Sequence, residues 1–332
     1  MDSYTILLSQ SAWDKQLEPY RQKLQAGAKP GRLLEKRLTS RPEALGSTRT
    51  FLEELINTKK PQIFAESAIL GDGSDWNLTE LAILGDVSIA TPVTIFDNGR
   101  HRKPDVHAKP FEGTLLFTPG ALLRNGHGEP PADYLAVTTD HKIDPEKYYQ
   151  LYKRRLLPPL KYADQVCARK SKKGFITIPG LGCGVFAGPF AGQLGQMLNR
   201  TLLRVLQQHS AELPNIRAVY YDPYNESQNE RHEIEGLSYL VRPLLQGNKN
   251  KPQLCSPHYY EETGDDFSDC EFFSFVAWDH VSWPGNDFYV GSRVTDDGVK
   301  GAATDAIRAM TGFEGFYDKV QNKYLPPIGF KN

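Results

Sequence analysis

Two hydrophobic textures run along the chain. Over residues 1–60 apolar positions recur every three to four residues among charged ones, as in SAWDKQLEPYRQKLQAG (11–27) and RPEALGSTRTFLEELINTKK (41–60). That period predicts amphipathic helices, each with one face to bury. The segment reads as a helical N-terminal extension, residues 1–60, packed on a main domain of residues 61–332.

From about residue 61 the texture shortens. β-like runs predict strands: LAILGDVS (81–88), TPVTIFDNG (91–99), GTLLFTPG (113–120), DYLAVTT (133–139), GFITIPG (174–180), IRAVYYDPY (216–224) and EFFSFVAW (271–278). Helical patterns lie between several of them. Asp144 to Leu160 is one; Leu194 to His209 is the clearest, with Leu194, Met197, Leu198, Leu202, Val205 and Leu206 in one stripe. Strands alternating with helices predict an α/β layered domain around a parallel or mixed sheet. Ligands of such sheets sit beyond the carboxyl ends of the strands, so the loops that follow strands are where chemistry is expected.

Composition narrows the class. The 332 residues, 39% of them apolar, suffice for one large domain or two small ones. A net charge of −1 gives no bias toward nucleic acid or membrane. The charge is segregated: Lys142–Lys173 holds ten Lys/Arg against three Asp/Glu, and Glu261–Asp305 holds eleven Asp/Glu against two Lys/Arg. The basic stretch reads as a solvated helix face or a docking face for an acidic partner. Four cysteines without CxxC spacing suggest neither a zinc site nor a disulfide framework. The N-terminus lacks the pattern of a signal peptide, and no apolar run approaches the ~18 residues of a membrane helix. The expectation is a soluble, cytoplasmic monomer, in a host cell if it is exported.

The densest glycine cluster is ITIPGLGCGVFAG (176–188). A buried strand leads into it and a periodic helix follows. Glycines let backbone N–H groups converge on an anion, and a helix N-terminus favours negative charge. A phosphate or pyrophosphate is one natural guest; a tight strand–helix connection explains the same residues. No GK[ST] follows, and the register is wrong for a dinucleotide fingerprint.

GLGCGVFAG resembles the diphosphate-binding loop of macrodomains, which wraps the pyrophosphate and distal ribose of ADP-ribose. The resemblance implies ligand contacts from Gly182, Cys183, Gly184, Val185 and Phe186. GDVS (85–88) is similar to the start of macrodomains whose aspartate contacts the adenine, which maps to Asp86. VTIFDNG lies where macrodomains carry an Asn-rich loop beside the distal ribose. Here Asp97 and Asn98 replace that run, so Asn98 is the candidate ribose contact and Phe96 a candidate stacking face. The fold implied is a three-layer α/β/α macrodomain with a mixed sheet, carrying the helical N-terminal extension.

The acidic segment AWDHVSWPGNDFYVGSRVTDDG (277–298) carries Asp279, Asp287, Asp296 and Asp297 among aromatic residues, and Asp305 follows. Buried carboxylates need cations, metals or donors. TDDG followed by VKGAATDAIRAM also reads as a helix cap, which is the structural alternative for Asp296 or Asp297. The spacing matches no EF-hand loop, and no metal site is expected. The spacing of Asp279, Asp287 and Asp297 resembles the catalytic aspartates of MavL-type macrodomains, bacterial effectors that remove ADP-ribose from an arginine of ubiquitin. That resemblance implies hydrolysis of an ADP-ribosyl-arginine bond with no cofactor, and an ADP-ribosylated protein, ubiquitin, as partner. A non-catalytic ADP-ribose reader is the alternative.

The chemistry suits the residues. Breaking a C1–N glycosidic bond passes through an oxocarbenium-like transition state, which carboxylates stabilise while activating water. Aspartates also hold a guanidinium by charge-assisted hydrogen bonds. Elsewhere, Asp222, Tyr224 and Asn225 end a strand and are candidates for adenine or ribose contacts. His280 stands beside Asp279, and Cys183 reads as a small packing residue.

Overall fold

A computed structural model of the chain describes residues 4–60, 75–124, 129–285, 288, 293–311, 316–318 and 323–325. The strands are β1 (Thr5–Leu7), β2 (Ser88–Asp97), β3 (Val106–Pro119), β4 (Gly174–Pro179), β5 (Ile216–Asp222), β6 (Glu230–Ile234), β7 (Leu237–Val241) and β8 (Glu271–Trp278). They form one mixed eight-stranded sheet in the order β1-β2-β3-β8-β4-β5-β7-β6. The five central strands β3, β8, β4, β5 and β7 are parallel; the edges pair antiparallel.

Burial explains why the layers are three. β4 is buried at every position, as a strand covered on both faces must be. Alternate residues feed two separate cores. Phe175, Ala218, Tyr220, Leu115 and Phe117 join one core with Leu17, Phe51 and Leu55 of the N-terminal helices. Ile176, Val219, Tyr221 and Leu116 face the other, against Leu156 and Leu160 of one helix and Leu198 and Leu202 of another. Those covering helices are named in chain order. α1 (Glu18–Gln25), α2 (Arg32–Ser40) and α3 (Thr48–Asn57) lie before the sheet and α4 (Leu78–Asp86) leads into it. α5 (Ala132–Val137), α6 (Pro145–Lys170), α7 (Leu194–His209), α8 (Asp296–Ala303) and α9 (Ala306–Thr311) complete the set. The α/β/α architecture with a mixed sheet agrees with the sequence reading.

The N-terminal residues contribute more than helices. β1 pairs with the start of β2, Thr5 opposite Ala90 and Leu7 opposite Ser88, so the sheet begins at the fifth residue. Two runs expected as strands are helices. LAILGDVS belongs largely to α4, opened by a capping box in which Asn77 accepts from Glu80 N and Glu80 reaches back. DYLAVTT is α5, started after Pro131, with only Thr138–Thr139 extended. α7 spans Leu194–His209, as its stripe predicts. α6 outruns its expected end at Leu160: the apolar stripe continues through Ala163 and Cys167, and the helix passes Pro158 and Pro159 to stop at Lys170.

Candidate active site

The parallel strands deliver four loops to one edge of the sheet. β3 ends at Pro119, β4 at Pro179, β5 at Asp222 and β8 at Trp278. The glycine loop, Asp222 and the loop opened by Asp279 therefore share that edge. Asp86 joins them because β2 runs antiparallel to β3, with Ile89 opposite Phe117.

In the glycine loop the glycines do different work. Gly182 has a φ of +73°, and a β-carbon there would lie 2.7 Å from Ala121 N. Gly120 answers it: a β-carbon on Gly120 would fall 2.2 Å from Gly182 N. These two serve close approach of the loops after β3 and β4. Gly184 is different, for a β-carbon there meets nothing within 4 Å. The loop closes with Ala187 N donating to Gly184 O and Leu123 N to Phe186 O. Among the described residues, the N–H groups of Gly184, Val185 and Phe186 donate to no acceptor. Successive free N–H groups on a turn form an anion-binding concavity. The α7 N-terminus adds no vacant donor at Gly195, whose N–H is taken by Glu226 at 2.7 Å. Val185 stands 69% exposed at the loop's outer side. Cys183 is buried, which pushes its thiol pKa far up, and its sulfur donates to Leu181 O. That environment suits packing, not nucleophilic attack.

The aspartate segment is built on β8 and α8. Past Ser274, where β8 leaves β4, α8 supplies the missing partners. Asp296 accepts from Ala277 N at 2.8 Å, and Lys300 donates to Phe275 O while pairing with Asp296 at 3.1 Å. Thr295 is the N-cap of α8, accepting from Gly298 N. Asp296 and Asp297 are therefore first-turn residues rather than caps. Asp297 is 4% exposed and accepts from Gly285 N at 2.8 Å. Asp279, also buried, folds its own turn by accepting from Val281 N at 2.8 Å and Ser282 N at 2.6 Å, and takes the Ser282 hydroxyl as well. The Gly285 bond joins the first turn of α8 to the loop Asp279 opens. Asp305 lies apart, accepting from Thr94 N of β2. Asp287 lies outside the described residues.

Two lysines balance this acid, and the sequence reading had named neither. Lys300 is fully buried; its spacing of four from Asp296 is the signal that could have found it. Lys59, 1% exposed, donates to Asp279 O at 3.0 Å and lies 3.3 Å from the centre of the Trp278 ring. It comes from 220 residues upstream, so no local pattern points to it.

A second buried network braces the same edge. Arg155 of α6 bridges Asp86 (3.1 Å) and Asp133 (2.6 Å) and donates to Gly120 O. Asp133 also takes Leu122 N at 2.9 Å and His280 Nε2 at 2.9 Å. Burial alone would raise the Asp133 pKa, but the Arg155 charge and His280 hold it far below the usual range. Asp86 accepts further from Arg154 and Gln16, each at 2.9 Å. Gly85 is small because a β-carbon there would lie 2.5 Å from the His280 ring. The GDVS residues thus serve this network, and both Asp86 oxygens are engaged within the protein.

The remaining candidates sit in built environments too. Asp222 accepts from Tyr224 N and Leu244 N at 2.8 Å each and from Gln253 Nε2, and burial raises its pKa. Asn98 shapes the β2–β3 turn, accepting from Arg100 N and Asp105 N. Phe96 lies beside it, half-buried. Asp97 holds Arg293 in a bidentate pair, both contacts 2.9 Å, which ties that turn to the segment preceding α8.

A family model described as Macrodomain effector MavL matches residues 4–330. The chain belongs to that family. The MavL family match spans the N-terminal helices as well as the sheet, so Lys59 and Asp297 fall within one matched unit. Membership in the MavL family makes the protein a macrodomain and assigns it ADP-ribose-related function. No curated protein matches the chain significantly. No helix among the described residues is long and apolar enough to cross a membrane.

Proposed function

We propose that this macrodomain is an ADP-ribosylhydrolase that removes ADP-ribose from arginine of a modified protein, with ubiquitin as the substrate. The observation that carries the reading is the placement of two buried carboxylates, Asp279 on the loop after β8 and Asp297 in the first turn of α8 and bonded to that loop through Gly285, at the sheet edge that also holds an open row of N–H groups at Gly184–Phe186. The N–H row suits a diphosphate. The carboxylates suit the ribose C1 and the cationic arginine bonded to it.

In the reaction water attacks C1 and the C1–N bond breaks. The water oxygen and one of its protons become the C1 hydroxyl of ADP-ribose, the other proton passes by way of the carboxylate base to the departing guanidine nitrogen, and arginine leaves as guanidinium. Negative charge stabilises the oxocarbenium-like transition state, and a carboxylate acts as the base toward water. Asp297 and Asp287 are the candidates for those contacts. The Asp279 carboxylate spends its hydrogen bonds on its own turn, which favours a positioning role for it.

A second reading, a non-catalytic reader of ADP-ribose, draws on that same engagement of Asp279. The two separate on Asp297→Asn and Asp287→Asn. A hydrolase loses turnover while ADP-ribose still binds; a reader has no turnover to lose.

A further inference from the structure

We propose that Lys59 is the positioning residue of the aspartate site, clamping the Asp279 turn through its carbonyl while stacked on Trp278. The inference rests on the hydrolase reading for its kinetic part alone.

Three observations meet at this side chain. The first is placement. Lys59 follows α3, where its N–H donates to Ile56 O, and its side chain is sealed from solvent. A lysine is rarely enclosed unless it is paired. The second is geometry. The ammonium stacks over Trp278, the last residue of β8, and donates to the carbonyl of Asp279, the first residue of the loop. It spans the joint at which the strand becomes the catalytic loop. An ammonium over an indole face gains further attraction when it is desolvated. The third is charge. Asp279 and Asp297 are the two acids whose negative charges favour its protonated form.

Among the described residues, these other charged groups are engaged elsewhere. Lys60 points to the Tyr4 and Trp283 rings. Glu54 of α3 pairs with Arg37 and Arg41. His280 turns to Asp133, and Lys300 pairs with Asp296. Among the described residues Lys59 is the cation at the joint of Trp278 and Asp279, and truncating it removes the donor to the Asp279 carbonyl. Burial lowers its pKa from the usual 10.5 to about 7, against the pull of the two aspartates. The clamp is therefore present at acid to neutral pH and is released as pH rises through that value.

The test compares wild type, Lys59→Met and Lys59→Arg. Circular dichroism first establishes which variants fold. Amide hydrogen exchange by NMR then follows Val281 and Ser282, whose N–H groups the Asp279 carboxylate holds. The expected result is exchange at both amides faster by about tenfold or more in Lys59→Met, with Lys59→Arg close to wild type. Equal exchange rates overturn the proposal, whether or not the protein is a hydrolase. On arginine-ADP-ribosylated ubiquitin, kcat falls roughly tenfold or more in Lys59→Met with KM little changed. The wild-type alkaline loss of kcat, centred near the Lys59 pKa of about 7, is absent in that variant. An unchanged kcat and pH profile in Lys59→Met also overturns the proposal. A wild type without turnover overturns the hydrolase reading alone, and the amide exchange still decides the role of Lys59.

Discussion

Gly120 and Gly182 touch backbone to backbone: a β-carbon on Gly120 would stand 2.2 Å from the Gly182 nitrogen. Neither partner is a flexible side chain, so the loop after β3 fixes the height of the glycine loop after β4. Gly120→Ala should force the two loops apart, costing about 1–3 kcal/mol of stability by overpacking. ADP-ribose affinity measured by calorimetry should fall with it. Gly184→Val separates fold from ligand, because its β-carbon meets nothing within 4 Å. Its stability should stay within about 0.5 kcal/mol of wild type, while affinity for ADP-ribose drops. Unchanged affinity in Gly184→Val would remove the N–H row from the binding site.

Arg155 is the cation shared by two buried acids. Arg155→Met leaves Asp86 and Asp133 enclosed, Asp86 keeping Arg154 and Asp133 keeping His280. Removing one partner of a buried ion network costs about 3–5 kcal/mol, read by urea unfolding. The damage should also reach the aspartate loop, because His280 neighbours Asp279 and rests on Asp133. A variant as stable as wild type would show that the network is dispensable.

Lys59 also writes itself into the stability curve. Its pKa is about 7 in the folded chain and near 10.5 when exposed. Between these values the unfolded chain binds the extra proton, so stability rises with pH across that window. The cost of burial is full below about 7 and gone above 10.5. Lys59→Met has no such proton to lose. Unfolding free energies of wild type minus Lys59→Met should therefore climb from pH 7 toward 10.5, with a slope of at most about 1.4 kcal/mol per pH unit. A flat difference would place the ammonium in water.

The sequence is most legible where structure follows local chemistry. α7 is bounded as its stripe predicts, and β4 leads into the glycine loop at the carboxyl edge of the parallel strands. Legibility fails where tertiary context decides. LAILGDVS has strand-like residues, yet Asn77 and Glu80 cap it into a helix. Three residues of β1 are too short a pattern to stand out from the helical stripes around them. In the site, the acidic segment is plain from composition, as are the glycines. Their counter-charges are not: Lys59 and Arg155 reach it from distant parts of the chain. GDVS is the instructive case. Its resemblance to an adenine-contacting element says nothing of the packing and charge of His280 and Arg155, which Gly85 and Asp86 answer.

The central claim is tested most directly by incubating the protein with ubiquitin ADP-ribosylated on arginine and following free ADP-ribose and intact ubiquitin by mass spectrometry. The account predicts release of ADP-ribose with regeneration of unmodified arginine, and loss of that release in Asp287→Asn and Asp297→Asn while ADP-ribose still binds. Binding of ADP-ribose by the wild-type protein with the modified ubiquitin left intact would contradict it.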